Sequence, residues 1–457
     1  MSFNKQAVIM AVISSMSCVA LADTNSDQKP ATGTRVSEQS QAEGYLEGQS
    51  LTGLTKNWYS NELRYNGEAF RYQKHGQFQP TRRRINWVQG TILDHTSGFT
   101  QGTVGFATQV ALYNTVALDR SRKDIANGSN RTLAENNGDA VDQWSKLGLA
   151  NAKMRISNTT VTLGRQSFSS PTVEVMPTRA LPSSFQGVSV HSAEFDDVSL
   201  DFGSFDRVSP RTEQSLAKFR GEYQAISAEA DRVNVFGVSY KPVKNLSTSF
   251  YATQVEDFWN QYYIGASHDL GDASKLGLNT SLNYYKTKDS GQKKLGDIDN
   301  DAYSLAFALK HLGHTLTLAY QQIIGDEYFD YLHETGGIYL ANAALSDYNG
   351  PNEKSLQLSY AVDMAQYGVP GLKLSVYHIR GWDIDGTNYK GTAYDVRSQD
   401  GERHHESGVG AFYVIQSGQL KSSSVRALYT KHTASQFQAD GNVGEFRLVT
   451  TVPFSLF

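Results

Sequence analysis

The sequence predicts an all-β fold, a transmembrane antiparallel β-barrel of about eighteen strands. Three observations carry that expectation. Apolar and polar residues alternate at period two along the chain and up to its aromatic carboxy-terminus. Tight turns alternate with long polar connections. An export signal opens the chain.

Residues 1–22 read as a signal peptide. Lys5 gives a positive start, Ala7 to Ile13 an apolar run, and Ala20-Leu21-Ala22 an A-x-A cleavage site. The run is too short, and too broken by serines, to cross a bilayer as a helix. Cys18, the single cysteine, lies inside this signal behind Ser15-Met16-Ser17, a poor lipobox. The mature chain therefore forms no disulfide and offers no thiolate to a metal. Residues 23–45 are polar and turn-rich and read as a mobile periplasmic lead-in. The barrel is expected over 46–457.

The strands are read by their faces. Tyr303, Leu305, Phe307 and Leu309 alternate with Ser304, Ala306, Ala308 and Lys310. Leu316, Leu318 and Tyr320, then Leu356, Leu358 and Tyr360, then Leu372, Leu374 and Val376, then Val425, Ala427 and Tyr429 repeat the pattern. One face suits lipid; the other is small and polar, as beside water. The last strand alternates Phe446, Leu448, Thr450, Val452 and Phe454 with Glu445, Arg447, Val449 and Thr451.

Tight turns include 241–245, 312–314, 367–371 and 416–419. Long polar connections include 119–142, 167–186, 206–231, 326–353 and 382–406. That asymmetry separates a periplasmic rim from an exterior one. An even strand count returns both termini to the periplasm, and about eighteen strands leave an aqueous channel.

Composition agrees. Mean hydropathy is −0.44, so nothing beyond the signal qualifies as a membrane helix. The 25 tyrosines suit interfacial girdles. Net charge is −4, or −5 once Lys5 leaves with the signal, which argues against nucleic acid as a partner. A chain of 457 residues has room for two or three soluble domains, but no linker divides it. No phosphate-binding loop, nucleophile elbow or metalloprotease motif appears, so no enzyme, cofactor or metal is expected. His404-His405-Glu406 lacks metal-ligand spacing and a third ligand, and reads as the exposed end of a strand. An outer-membrane barrel enzyme with an Asp–His pair at its rim, and an adhesive barrel without conductance, are the alternatives of other classes.

Several phrases in order resemble the OprD-type family of substrate-specific outer-membrane porins, the carboxylate channels. They include Ser97-Gly98-Phe99-Thr100-Gln101-Gly102, Leu181-Pro182, Glu256-Asp257-Phe258-Trp259-Asn260-Gln261, Phe329-Asp330-Tyr331, Ser346-Asp347-Tyr348-Asn349-Gly350-Pro351, Tyr367-Gly368-Val369-Pro370-Gly371 and Glu445-Phe446-Arg447-Leu448. The resemblance runs from Glu43 to Phe457. It implies a monomer or loose trimer, with the third and seventh loops folded inward to narrow the lumen. It is nearest to the branch associated with basic amino acids and carbapenems, and implies small carboxylate solutes and outer-membrane lipid as partners. Phe457 would be read by the barrel-assembly machinery.

The resemblance also implies the site. Arg179, just before Leu181-Pro182, matches a constriction arginine. Asp347 and Tyr331 match waist positions, where Asp347 would attract an ammonium group while Arg179, facing it, holds the carboxylate. Arg84, Arg426 and Arg447 match rungs of a basic ladder, and strand parity independently turns Arg426 and Arg447 into the lumen. Arg155, Arg380 and Lys310 are further rung candidates. Ala343, Leu345, Phe412, Leu428 and Glu62 depart from the pattern, thinning the ladder and leaving a more apolar waist. An aromatic carboxylate is then the alternative permeant.

Overall fold

The structure is a computed structural model and describes residues 36–74, 77–119 and 141–457. The expected signal peptide, residues 1–22, and the lead-in up to residue 35 lie outside the described residues.

β1 (Ser50–Arg64) leads into a separate hairpin, β2 (Phe70–Lys74) and β3 (Gln77–Thr81), and then β4 (Arg83–Thr96). β5 (Val104–Ala117), β6 (Gln143–Ile156), β7 (Thr159–Gln166), β8 (Ser184–Phe195), β9 (Val198–Ser209) and β10 (Val233–Val243) follow. Next come β11 (Leu246–Val255), β12 (Trp259–Asp272), β13 (Leu276–Asp289), β14 (Asp299–His311) and β15 (His314–Ile324). β16 (Lys354–Asp363), β17 (Leu372–Ile384), β18 (Glu402–Val414), β19 (Ser424–Ala434) and β20 (Val443–Ser455) complete the wall. Apart from the β2–β3 hairpin, the strands form one closed antiparallel barrel of eighteen, sealed where β1 lies between β4 and β20.

Closure satisfies the backbone hydrogen bonds that lipid cannot, and removes sheet edges. The period-two reading holds on the outside. Phe307, Leu309, Leu316, Leu318, Leu358, Val376, Val409 and Phe446 are exposed, while Ser304, Thr317, Gln321, Gln357 and Thr430 on the opposite faces are buried. An apolar exterior over a polar interior suits a barrel wrapped by lipid.

Short connections gather at one rim, as at 157–158, 196–197 and 312–313, and the longest, at 118–142 and 325–353, lie at the other. Both described chain ends are at the short-turn rim, where Leu51 N–H donates to the Phe457 carbonyl at 3.2 Å. Residues 36–44, read from composition as mobile, are docked there. Gln39 is buried, and its side-chain amide donates to the carbonyls of Thr100 (2.9 Å) and Gly102 (3.0 Å).

Candidate functional site

Three connections fold into the barrel and interlock: 167–183, 210–232 and 325–353. Isolated β-bridges join Val175 to Thr335 and Gly221 to Leu332. The Arg211 guanidinium pairs with Glu334 at 2.8 Å and donates to the Thr178 hydroxyl, tying all three together. Phe329, Leu332 and Leu340 anchor this lining in an apolar cluster with Tyr285 and Trp259 of the wall.

The segment around Arg179 is fastened to the wall on both sides. Leu181 is fully buried among Ala111, Tyr113, Trp144 and Leu149. Ala180 packs on Trp58 and Val88. Gly90 permits this approach, because a Cβ there would stand 2.6 Å from the Ala180 carbonyl oxygen. Lys56 Nζ donates to the carbonyls of Pro177 (3.3 Å) and Arg179 (3.2 Å). Neither Lys56 nor Arg211 stood out in the sequence. Lys56 does lie on the polar parity of β1, which was the available signal.

The Arg179 guanidinium makes no ion pair among the described residues. Its electrostatic neighbours are Arg211, Arg447, Glu62 and Glu445. Burial, then the positive charges of Arg211 and Arg447, lower its pKa to about 10, so it stays charged at neutral pH.

The wall beside it carries the expected arginines, in company the sequence did not announce. Arg447 of β20 lies opposite Leu428 of β19, and Arg426 opposite Val449, so the two arginines are diagonal neighbours. Arg447 sits over the Trp58 ring at 4.9 Å and forms a bidentate pair with Glu445 at 2.9 and 2.7 Å. Arg84 of β4 lies across β1 from β20, near the long-loop rim, and is held bidentately by Glu62 with both contacts at 2.6 Å. Its guanidinium also covers the Phe70 ring at 4.2 Å. Arg426 stands 5.8 Å from the Phe412 ring. Glu62 and Glu445 are themselves cross-strand partners, so acids alternate with arginines along this wall.

Asp347 lies in the 325–353 connection. Its Oδ2 accepts from the hydroxyls of Tyr331 and Tyr223, each at 2.7 Å. Tyr331 is buried, with its hydroxyl committed to that carboxylate. Burial pushes the Asp347 pKa up to about 6; the two tyrosine bonds oppose it, and the charges of Asp440 and Glu222 add to it. No contact joins Asp347 to Arg179. They occupy separate neighbourhoods of the interlocked loops, with Arg211, Glu334, Glu222 and Tyr331 between them in the network.

Other candidates are placed elsewhere. Arg380 is not a rung, because it shares the parity of the exposed Leu374 and Val376 and so faces outward. Lys310 faces inward near the short-turn rim, 3.8 Å from Asp269. Arg155 binds the docked segment through Gln39 at 3.0 Å and Glu38 at 3.5 Å. His404 is not an exposed strand end. It is 2 % exposed, and His432 and Asp440 bring ligand atoms within 4.8 Å of its own. Leu345 packs with Phe70 and Val443.

Residues 43–456 match a family described as outer membrane porin, OprD family. The chain is 36 % identical to Porin D of Pseudomonas aeruginosa, across 96 % of this chain and 98 % of that protein. It is 28 % identical to the porin-like protein GalP of Pseudomonas putida, across 92 % and 95 %. The crystal structure of Pseudomonas aeruginosa OccD3 (OpdP) superimposes with a TM-score of 0.81 and 45 % identity, covering 94 % of this chain and 97 % of that one.

Proposed function

The chain belongs to the OprD family of outer-membrane porins, and on that footing we propose that it passes small carboxylates bearing an ammonium group, such as basic amino acids. Arg179 takes the carboxylate and Asp347 the ammonium. Arg426, Arg447 and Arg84 lead the solute along one wall, and the permeation of carbapenems through the same path belongs to this reading. The observation that carries it is Arg179, whose backbone carbonyl is held by Lys56 and whose guanidinium forms no ion pair among the described residues. A charged guanidinium fork suits a carboxylate, and a single such contact still lets the solute leave. Tyr331 positions Asp347.

One set of contacts favours a second permeant. Phe412 beside Arg426 places an aromatic ring next to a cation, which suits an aromatic carboxylate, while Trp58 under Arg447 is buried. Liposome swelling with lysine, an aromatic acid and a neutral sugar of similar size separates the readings. Faster entry of lysine supports the first, faster entry of the aromatic acid the second, and equal rates refute both.

The pKa of Asp347 sets a pH dependence. About nine-tenths of it is ionised at pH 7 and about one-tenth at pH 5. Lysine swelling is expected to fall relative to the sugar between pH 7 and pH 5, as the negative charge is lost. A constant ratio would exclude Asp347 from the ammonium site.

In the proposed orientation both termini and the short-turn rim face the periplasm, residues 1–22 are removed on export, and the assembly machinery reads Phe457. Deleting Phe457 is expected to lower the heat-modifiable, folded fraction in the outer membrane. Wild-type yields of folded deletion protein would sink that role.

A further inference from the structure

A buried polar cluster near the long-loop rim takes no part in the permeation path described above. His404 of β18 and His432 of β19 are 2 % and 0 % exposed. His432 Nδ1 faces the Gly441 carbonyl at 2.6 Å, and a carbonyl only accepts, so Nδ1 carries the proton. His404 Nε2 faces Glu353 Oε1 at 2.5 Å; the other oxygen of Glu353 accepts from Gly350 N–H at 2.9 Å. A carboxylate held in this way accepts, so Nε2 is the protonated nitrogen of His404. The two remaining nitrogens, His404 Nδ1 and His432 Nε2, then both present lone pairs, and they are 2.7 Å apart. Two neutral imidazoles in these tautomers repel at that distance, so a cation belongs between them.

The surroundings specify its kind. Asp440 supplies a carboxylate oxygen within 4.8 Å of a ring nitrogen of each histidine, and one of its oxygens accepts from Ser346 (2.6 Å) and Gln438 (3.0 Å). Each imidazole is oriented on its far side by a carboxylate or a carbonyl, the usual outer support of metal-bound histidine. A cavity of about 10 Å³, the size of one water, is lined in part by Asp440, Glu353 and Ser346, while neither histidine lines it. Glu353, Asp440 and the buried Glu406 surround the pair with negative charge. We propose that His404, His432 and Asp440 form a site for one divalent transition-metal ion of zinc type, with water as the fourth ligand. Tetrahedral Zn–N bonds of about 2.0–2.1 Å place the nitrogens ~3.3 Å apart, so the pair opens by about half an ångström. The ion pins the 325–353 connection to β18 and β19 through Glu353 and Ser346.

The test titrates Zn2+ into the chelator-treated, detergent-purified barrel and counts metal per chain after gel filtration. One ion per barrel is expected, with affinity at least ~10-fold weaker in His432→Asn. It should be unchanged in His405→Ala, which removes an exposed neighbour. Equal binding by the wild type and His432→Asn overturns the site, as does a wild type that takes up no zinc and keeps only a shared proton between the histidines. Where His432→Asn fails to show heat-modifiable folding, Co2+ in the wild type decides. An intense visible ligand-field band indicates four-coordinate nitrogen and oxygen ligands, and its absence refutes the proposal.

Discussion

Replacing Arg179 with Gln is expected to slow carboxylate uptake by about tenfold or more, while a neutral sugar of similar size enters at close to the wild-type rate. The estimate follows from losing one charge-assisted contact, worth about 1.5–3 kcal/mol. The substitution removes the charge and shortens the side chain by two bonds, and it leaves the anchors of the segment, Leu181, Ala180 and the Lys56 bonds to the Pro177 and Arg179 carbonyls, untouched. Loop position should therefore be preserved. Liposome swelling and single-channel recording of the variant supply the check. Equal slowing of carboxylate and sugar would mean that Arg179 only shapes the waist.

The second large effect is expected from the acids. Glu62 and Glu445 engage Arg84 and Arg447 bidentately, so part of the basic wall is neutralised in place. Changing both to Gln removes two negative charges from the lumenal side and releases two guanidinium groups from their carboxylate partners. Anion-over-cation permeability, read from the reversal potential in a salt gradient, should rise by roughly threefold or more at low salt. Most of the gain should disappear near 1 M salt, where the Debye length is about 3 Å. An unchanged reversal potential would show that these pairs lie off the conduction path.

The contrast between these two variants shows what the sequence makes legible. Strand parity was enough to turn Arg426 and Arg447 inward, because a side-chain period of two leaves only two faces. The same rule, applied to β17, turns Arg380 outward beside Val376, so the rung reading failed where a basic residue was preferred to its parity. The pairing of Arg84 with Glu62 needs the register of β4 on β1, and that of Glu62 with Glu445 needs the closing seam. Neither register is written in local pattern. The interlock of 167–183, 210–232 and 325–353 rests on contacts between residues more than a hundred positions apart, such as Arg211 with Glu334. The histidine cluster escaped for the same reason. A local ligand-spacing rule at His404 does not see His432 on the next strand or Asp440 in the loop beyond it.

The resemblance to carboxylate channels pointed to Arg179 and Asp347 as one facing pair, and in the structure each keeps its own near neighbours. Arg179 belongs with Arg447 and the Lys56-bound segment, and Asp347 with Tyr223 and Tyr331. A solute engaging both must extend between the two neighbourhoods. A long basic amino acid does this more readily than a short one, so lysine should pass faster than alanine relative to sugars of matched size.

A crystal structure of the barrel soaked with lysine shows whether Arg179 and Asp347 hold the two ends of one solute. The expected density has the carboxylate against the Arg179 guanidinium and the chain directed toward Asp347. Density for lysine only at the rims, with Arg179 uncontacted, would contradict it.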